Sequence, residues 1–271
     1  MSVVDRQAPA KAATAPSPWR FWFVTERKIR ALRGYASSAF ITSIANPVVY
    51  LLALGVGLGS LVPEGVQGVD YLVFVAPALL AMSAVFVANE ESTYQILVGF
   101  RYRPIYIAMH QTPLRGVDIV VGHVTFVALR MLATATIYFL VIVAFGGISQ
   151  GSALWMVPIA AMTGMAIGSL IMAYAATITT DRGQLPMLYR LIFVPLFLFS
   201  GTFFPLDQLP IYLQPIGWIS PLWHGAEWGR VMSYGHIEPT WLTVVHGVYL
   251  TLLMVLGVTL AIRTFTARLG K

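Results

Sequence analysis

The stretch YLVFVAPALLAMSAVFVANE, residues 71–90, decides the fold, because no charge interrupts it before its last position. A helix needs about 20 apolar residues to cross the hydrocarbon core of a bilayer. Five further stretches have the same character. We therefore predict an all-α polytopic membrane protein with six transmembrane helices, at about residues 38–62, 71–90, 117–145, 153–179, 186–204 and 241–262.

The overall composition also indicates a chain that is covered by lipid. Of its 271 residues, 58% are hydrophobic and 10% are charged, whereas soluble domains carry roughly 25% charged residues. The lack of cysteine excludes disulfides, thiol catalysis and Cys-ligated metals. The formal net charge of +6 does not indicate nucleic acid as a partner, because the basic residues are distributed by membrane side and not gathered on one face.

Along the chain, connections that contain Lys and Arg alternate with connections that lack them. Seven precede span one, none lies between spans one and two, three lie between spans two and three, and none lies between spans three and four. Because cytoplasmic loops retain Lys and Arg, we predict a multi-pass protein of the bacterial inner membrane with both termini in the cytoplasm.

Three regions are expected along the chain. Residues 1–18 are rich in Ala, Pro and Ser and lack the apolar run of a secretory signal, so they are predicted to form a disordered cytoplasmic tail. Residues 19–36 are predicted to form an amphipathic helix at the membrane interface, and residues 37–271 to form the six-helix domain.

The interface helix is predicted from its 3.6-residue period. Phe21, Val24 and Leu32 share one side, and Arg27 and Arg30 share the other, which is typical of a helix lying in the membrane interface. The period is imperfect because a lysine, residue 28, falls on the apolar side. The alternative is a basic juxtamembrane tail that only enforces topology.

Two connections are longer than a helical hairpin needs. Residues 92–116 follow span two on the cytoplasmic side, where roughly 2–8 residues suffice, and they are predicted to contain a short helix with a basic and aromatic face. Residues 205–239 lie on the outer side and are dense in Pro, Trp and Gly. Irregular backbone at membrane depth must be buried in protein, so a re-entrant hairpin of two short helices is expected there.

Arg130 stands inside predicted span three, where a charge costs on the order of 2.5–3.5 kcal/mol. Glu90 and Glu91 end span two on the same side of the membrane. We therefore predict that one or both of these acids pair with Arg130 at the base of the hairpin formed by spans two and three. The alternative is that Arg130 extends to phospholipid headgroups.

No motif for catalysis or for nucleotide binding is present. The chain lacks the G-x-x-x-x-G-K-[ST] loop that cradles phosphates, and it lacks H-E-x-x-H and G-x-S-x-G. His224, His236 and His246 are expected to make ordinary hydrogen bonds and not to hold a metal. A contact between Glu227 and Arg230, one helical turn apart, is the expected use of that glutamate.

Two stretches carry a family resemblance. They are EESTYQILVGFRYRPIYIAMHQTPLRGVDIVVGHVTFVALR (residues 90–130) and GTFFPLDQLPIYLQPIGWISPLWHGAEWGR (residues 201–230), with FFPLDQLP and PLWH as the most specific pieces. With the predicted topology, they resemble the type-2 ABC exporter permeases, and within that family the permeases that export nodulation lipo-oligosaccharides.

The resemblance implies partners and a set of working residues. Two permeases, of the same or sister chains, would pair in the lipid, and two copies of an ABC-type nucleotide-binding subunit would dock below them. ATP and Mg would be bound by that subunit, and no cofactor by this chain. The residues implied in coupling are Arg101, Tyr102, Arg103, Ile105, Tyr106 and Met109. The residues implied along the substrate path are Tyr50, Phe86, Tyr138 and Phe199.

The implied substrate is amphipathic, with a polar head too costly to pull through hydrocarbon and a lipid tail. Lipo-oligosaccharides, glycolipids and hydrophobic drugs all meet that description. Two other classes remain open from the residues alone. An ion-coupled secondary transporter would need buried ionisable groups and an internal repeat, and a membrane-embedded lipid-modifying enzyme would need an acidic or histidine cluster at one interface.

Overall fold

The computed structural model describes residues 19–270, which fold almost entirely into helices. The predicted disordered tail, residues 1–18, lies outside the described residues. The helices are α1 (Arg20–Leu32), α2 (Ala36–Tyr50), α3 (Tyr71–Ser92), α4 (Tyr94–Arg101), α5 (Ile105–His110), α6 (Gly116–Ala144), α7 (Met156–Ala175), α8 (Gln184–Leu188), α9 (Val194–Phe199), α10 (Gln214–Ile219), α11 (Pro221–Tyr234) and α12 (Thr240–Leu269).

Two of the apolar stretches contain π-helix. α2 continues without a break into the π-helical segment Leu51–Leu58 and a final 3₁₀ turn, Gly59–Leu61. α8 is joined to α9 by the π-helical segment Tyr189–Phe193. These two stretches differ in this respect from α3, α6, α7 and α12. π-Helical turns are rare and often lie at functional sites.

Five continuous helical stretches within residues 19–270 are long and apolar enough to cross a membrane. They correspond to predicted spans one, two, three, four and six, and they are Ala36–Leu61, Tyr71–Arg101, Gly116–Ala144, Gly151–Ala175 and Thr240–Leu269. The second stretch extends past the predicted end at Glu90, with a local break at Thr93 between α3 and α4.

The predicted fifth span is shorter than expected. The helical stretch is Gln184–Phe199, about 24 Å long at 1.5 Å per residue, whereas the hydrocarbon core is about 30 Å thick. The predicted end at Phe204 is wrong because Gly201 adopts a left-handed conformation with φ of 64°, and Pro205 follows. The six-span topology therefore stays a prediction.

α3 and α7 form the centre of the molecule and are buried over most of their length. They pack closely because small residues face each other. A Cβ atom added to Gly164 of α7 would lie 2.8 Å from the backbone oxygen of Ala84 in α3. α6 and α12 flank this pair, and α11 also packs against it. The outward sides of α2, α6 and α12 expose many apolar side chains, as expected for surfaces that face lipid.

α1 packs lengthwise against the first half of α6. Arg20 donates a hydrogen bond to the backbone oxygen of Pro113 (2.7 Å), and Thr25 donates to that of Gly122 (2.9 Å). Val24 is 1% exposed. α1 therefore has polar partners on the bundle, and its position in the membrane interface stays a prediction. Trp22 and Phe23 remain exposed on its other side.

Candidate functional site

A cluster of four charged side chains joins α1, α3 and α6. Arg130 contacts Glu90, with 2.8 Å between its guanidinium and the carboxylate, and it also donates a hydrogen bond to Glu91. The Nζ atom of Lys28 lies 3.3 Å from the other carboxylate oxygen of Glu91. The structure thus brings together the three residues expected from the sequence and adds Lys28. We refer to these four residues as the charge cluster.

The two acids of the charge cluster occupy different environments. The side chain of Glu91 is 2% exposed, and that of Glu90 is 53% exposed. Burial lowers the pKa of Lys28, and the carboxylate of Glu91 opposes that shift. The sequence does not by itself identify Lys28 as the partner of Glu91. The available signal is the position of this lysine on the apolar side of α1. A lysine in such a place needs a buried acid.

The connection after α3 and α4 forms an exposed basic and aromatic surface. Arg101, Tyr102 and Arg103 are exposed at its start, and the short helix α5 lies between two prolines as expected. Ile105 and Met109 are half-buried. These residues, with the exposed Ile107 of α5, are called the coupling surface below.

Tyr106 is placed differently from the other residues implied in coupling. It is 3% exposed, and its ring packs against Phe100 (4.9 Å between centroids) and Phe265 (5.2 Å). Burial raises the pKa of the Tyr106 hydroxyl. Tyr106 therefore fixes α5 to α4 and α12, and it is not part of the exposed surface.

The loop that follows α7 lies against the coupling surface. Arg101 donates a hydrogen bond to the backbone oxygen of Thr179 (2.5 Å). The hydroxyl of Tyr102 is 3.4 Å from the carboxylate of Asp181. The loops that follow α4 and α7 therefore form one continuous surface, and one partner could contact both.

A cleft of about 600 Å³, including its open mouth, lies between α2, α3 and α6. Three of the four residues implied along the substrate path line it, namely Tyr50, Phe86 and Tyr138, and Arg130 also lines it. Phe199 does not line this cleft. Instead Phe197, two residues earlier in α9, packs against Phe86, with 6.4 Å between the ring centroids.

The segment of α10 and α11 is held by a buried arginine. Arg230 of α11 is fully buried and pairs with Glu227 at 2.7 Å. Its other nitrogens donate to the backbone oxygens of Phe74 (3.3 Å) and Gly201 (2.7 Å). The expected contact between Glu227 and Arg230 is present, while the two backbone contacts were not foreseen. Arg230 thereby ties α11 to α3 and to the end of the shortened fifth helical stretch.

Two histidines meet beside this hairpin. The Nδ1 atoms of His224 and His246 are 2.7 Å apart, and the Nε2 atom of His224 lies 3.0 Å from the backbone oxygen of Trp218. The Nε2 atom of His246 is 3.3 Å from the carboxylate of Glu238. Burial, and then the proximity of His246, lowers the pKa of His224 to about 4. These contacts are the ordinary hydrogen bonds expected from the sequence.

Comparison with known proteins gives the chain its family. The sequence model of the ABC-2 type transporter family matches residues 20–234, which include the charge cluster, the coupling surface and the cleft. The chain belongs to the ABC-2 type transporter family. It is therefore an ABC transporter permease, a multi-pass membrane subunit of an exporter. No solved structure matches this ABC-2 permease.

Curated relatives of the ABC-2 permease carry one name. The permease is 32% identical over 224 residues to nodulation protein J of Rhizobium leguminosarum bv. viciae, and the match covers 82% of this chain and 86% of the relative. It is 31% identical over 217 residues to nodulation protein J of Sinorhizobium fredii, covering 80% of this chain and 82% of that protein. The resemblance expected from the two motif stretches is confirmed over most of the chain.

Proposed function

We propose that this permease moves an amphipathic substrate, such as a lipo-oligosaccharide, a glycolipid or a hydrophobic drug, out of the cytoplasm or the inner leaflet. A separate nucleotide-binding subunit would bind ATP and Mg and dock on the coupling surface. Two such subunits and a second permease, of the same or a sister chain, would complete the exporter. The termini would lie in the cytoplasm of a bacterial inner-membrane assembly.

The observation that carries this proposal is the coupling surface itself. Arg101, Tyr102 and Arg103 are exposed, yet Tyr106 anchors the helix behind them to Phe265 of α12. A partner that pushes on this surface would therefore move α5 together with α4 and α12. Through α3, which leads directly into α4, the same push reaches the charge cluster and the cleft.

Co-purification tests the proposal. The permease, purified in mild detergent from its native host, is expected to retain a P-loop ATPase in equal amount. The Arg103→Ala variant is expected to lower the ATP turnover of this complex about 5- to 10-fold, since it removes a charged contact of the interface. Arg33→Ala removes an exposed arginine outside the coupling surface and serves as the control.

Two results would contradict the proposal. One is a permease that carries no ATPase and transports on a proton gradient alone, which would make it an ion-coupled secondary transporter. The other is an equal loss of turnover in the Arg103→Ala and Arg33→Ala variants, which would show that the coupling surface has no special role.

A further inference from the structure

We propose that His246 and Glu238 form a proton-binding site that joins α12 to the segment of α10 and α11. The ligand is a single proton, held in addition to those of two neutral imidazoles. The inference goes beyond the proposed function, because it depends neither on the transported substrate nor on an ATPase. It concerns a row of three contacts that joins Trp218, His224, His246 and Glu238 in that order.

Both ends of this row are groups that only accept hydrogen bonds. At one end, the backbone oxygen of Trp218 lies 3.0 Å from the Nε2 atom of His224. At the other end, a carboxylate oxygen of Glu238 lies 3.3 Å from the Nε2 atom of His246. Between them, the two Nδ1 atoms are 2.7 Å apart. Each of the three contacts therefore needs its own proton between the two atoms that it joins.

Two neutral imidazoles supply one proton too few. A neutral histidine ring carries a single proton, on either of its nitrogens. Two such rings provide two protons for three contacts, whichever tautomers they adopt. Two acceptor atoms would then face each other in a buried place, and a buried polar group without its hydrogen bond is costly. One further proton completes all three hydrogen bonds.

The further proton lies on His246, beside Glu238. The hydroxyl of Thr243 donates to the other carboxylate oxygen of Glu238 (2.6 Å), which suits an ionised carboxylate. Burial raises the pKa of Glu238, but the hydrogen bonds from His246 and Thr243 outweigh burial and leave this pKa below its usual value. Burial, and then the proximity of His246, lowers the pKa of His224 to about 4. His224 therefore stays neutral and uses its own proton for Trp218.

Burial also favours the protonated state of this site. The side chains of His246 and Glu238 are 0% and 6% exposed. With the further proton the two side chains form an ion pair without net charge. Without it, Glu238 is a buried carboxylate next to a neutral ring, and a buried charge that lacks its partner is strongly unfavourable.

The titratable groups around the row have other contacts. Tyr249 stacks on the ring of His224, with 4.1 Å between the centroids, and its hydroxyl donates to a backbone oxygen. Glu227 pairs with Arg230 at 2.7 Å. His236 lies 3.9 Å from Glu227 and, when protonated, adds a weaker favourable charge to the carboxylate at the end of the row. None of these groups lies between the atoms that the three contacts join.

The proton controls a link between three helices. Trp218 belongs to α10, His224 to α11 and His246 to α12. When the proton leaves, one of the three hydrogen bonds is lost, so the segment of α10 and α11 is held less tightly against α12. The folded permease therefore binds this proton more tightly than the unfolded chain does, and this part of its stability is lost as the pH rises.

The Glu238→Gln variant provides the sharpest test, because an amide supplies the missing proton. The amide nitrogen of glutamine donates to the Nε2 atom of His246, so two neutral imidazoles then complete all three hydrogen bonds. Nitrogen-15 NMR of the histidine rings in the full-length permease distinguishes charged rings from neutral ones. At pH 6, His246 is expected to be charged in the wild type and neutral in Glu238→Gln. Its signal is assigned from its loss in the His246→Asn variant.

Melting temperatures of the detergent-solubilised permease, measured from pH 6 to pH 9, provide a second test. The wild type is expected to lose about 2–4 °C more than Glu238→Gln over this range, which corresponds to one hydrogen bond. Glu64→Gln makes the same chemical change at an exposed glutamate. It is the matched control and is expected to follow the wild type.

Three results overturn the inference. They are a neutral His246 in the wild type at pH 6, an equally charged His246 in Glu238→Gln, and parallel melting curves for these two proteins. If Glu238→Gln does not fold, the charge of His246 in the wild-type spectrum decides alone. None of these measurements involves ATP or a transported substrate, so a failure of the proposed function leaves the proton site standing.

Discussion

At the scale of single residues, Glu90 and Glu91 are neighbours in sequence but differ in what they hold. Glu91 is buried between Lys28 of α1 and Arg130 of α6, so one carboxylate joins three helices. Glu90 is about half exposed and contacts Arg130 alone among the described ion pairs. A buried carboxylate that is removed leaves its bases without compensation, whereas an exposed one is replaced by water.

We therefore predict that Glu91→Gln destabilises the permease more than Glu90→Gln does. Breaking a buried ion pair costs about 3–5 kcal/mol, so a lower melting temperature of the detergent-solubilised Glu91→Gln protein is expected. Glu26→Gln, which breaks the exposed pair with Arg30, is the control and is expected to cost at most about 1 kcal/mol. Equal losses for the two neighbouring glutamates would refute the distinction.

A second prediction concerns pH and His224. Its folded pKa is about 4, whereas an unfolded histidine titrates near 6.5. Between these values the unfolded chain binds more protons, so the contribution of His224 to stability is lost as the pH falls from about 6.5 to 4. The groups facing it are His246, Glu238 beyond His246, and the stacked ring of Tyr249.

Melting temperatures measured from pH 7 to pH 4 check this prediction. The wild type is expected to lose stability more steeply over that range than the His224→Gln variant, which cannot take up this proton. Both proteins keep His246 and Glu238, so the difference between the two curves reports on His224. Parallel curves would count against the assignment.

At this scale the sequence predicts some of the contacts but not others. Arg130 was expected to pair with the acids that end α3, because a charge inside a span needs a near neighbour. Lys28 was recognised as misplaced, but its partner is 63 positions away in sequence. The backbone oxygens that accept from Arg230 belong to distant elements as well. Contacts of that kind depend on how helices pack, and helical periodicity carries no information on them.

At the scale of elements, α1 shows what helical periodicity leaves undetermined. Its amphipathic pattern is compatible with a membrane surface or with a protein surface, and the period alone does not distinguish them. Thr25 and Lys28 show that α1 packs on the bundle, because both have buried partners there. Its position relative to the membrane stays a prediction. The close approach of α1 to α6 occurs at Gly122, where an added Cβ atom would lie 2.3 Å from the backbone oxygen of Phe21.

We predict that Gly122→Ala separates α1 from α6. Neither the methyl group nor the backbone oxygen of Phe21 can yield cheaply, so a loss of about 1–3 kcal/mol typical of overpacking is expected, with faster hydrogen exchange in α1. Gly57→Ala in the π-helical part of span one meets its nearest atom at 3.4 Å and is the matched control. Unchanged exchange of α1 in the Gly122→Ala variant would show that the contact is not required.

The spans themselves were largely predictable. The length of an apolar run sets whether a helix can cross the bilayer, and five predicted spans match helical stretches of sufficient length. Their ends were harder, because they depend on local geometry. The fifth stretch ends early at Phe199, where Gly201 and the oxygen that it offers to Arg230 take the chain out of the helix.

At the scale of the whole molecule, the charge cluster has an electrical consequence. Moving one elementary charge across a membrane potential of 100 mV involves about 2.3 kcal/mol of work. The cluster joins three helices and contains two positive and two negative groups. When all four are charged, a tilt of the bundle that carries the cluster through the field moves no net charge, so the field does no work on it.

Exporter turnover should therefore be insensitive to voltage. The complex in liposomes, with a potassium diffusion potential set by valinomycin, is expected to hydrolyse ATP at the same rate at 0 and at 100 mV of either sign. Glu90→Gln leaves the cluster with one net positive charge and is expected to make turnover depend on the sign of the potential. If the turnover of the wild type depends on voltage, charges outside the charge cluster also move through the field during the conformational cycle.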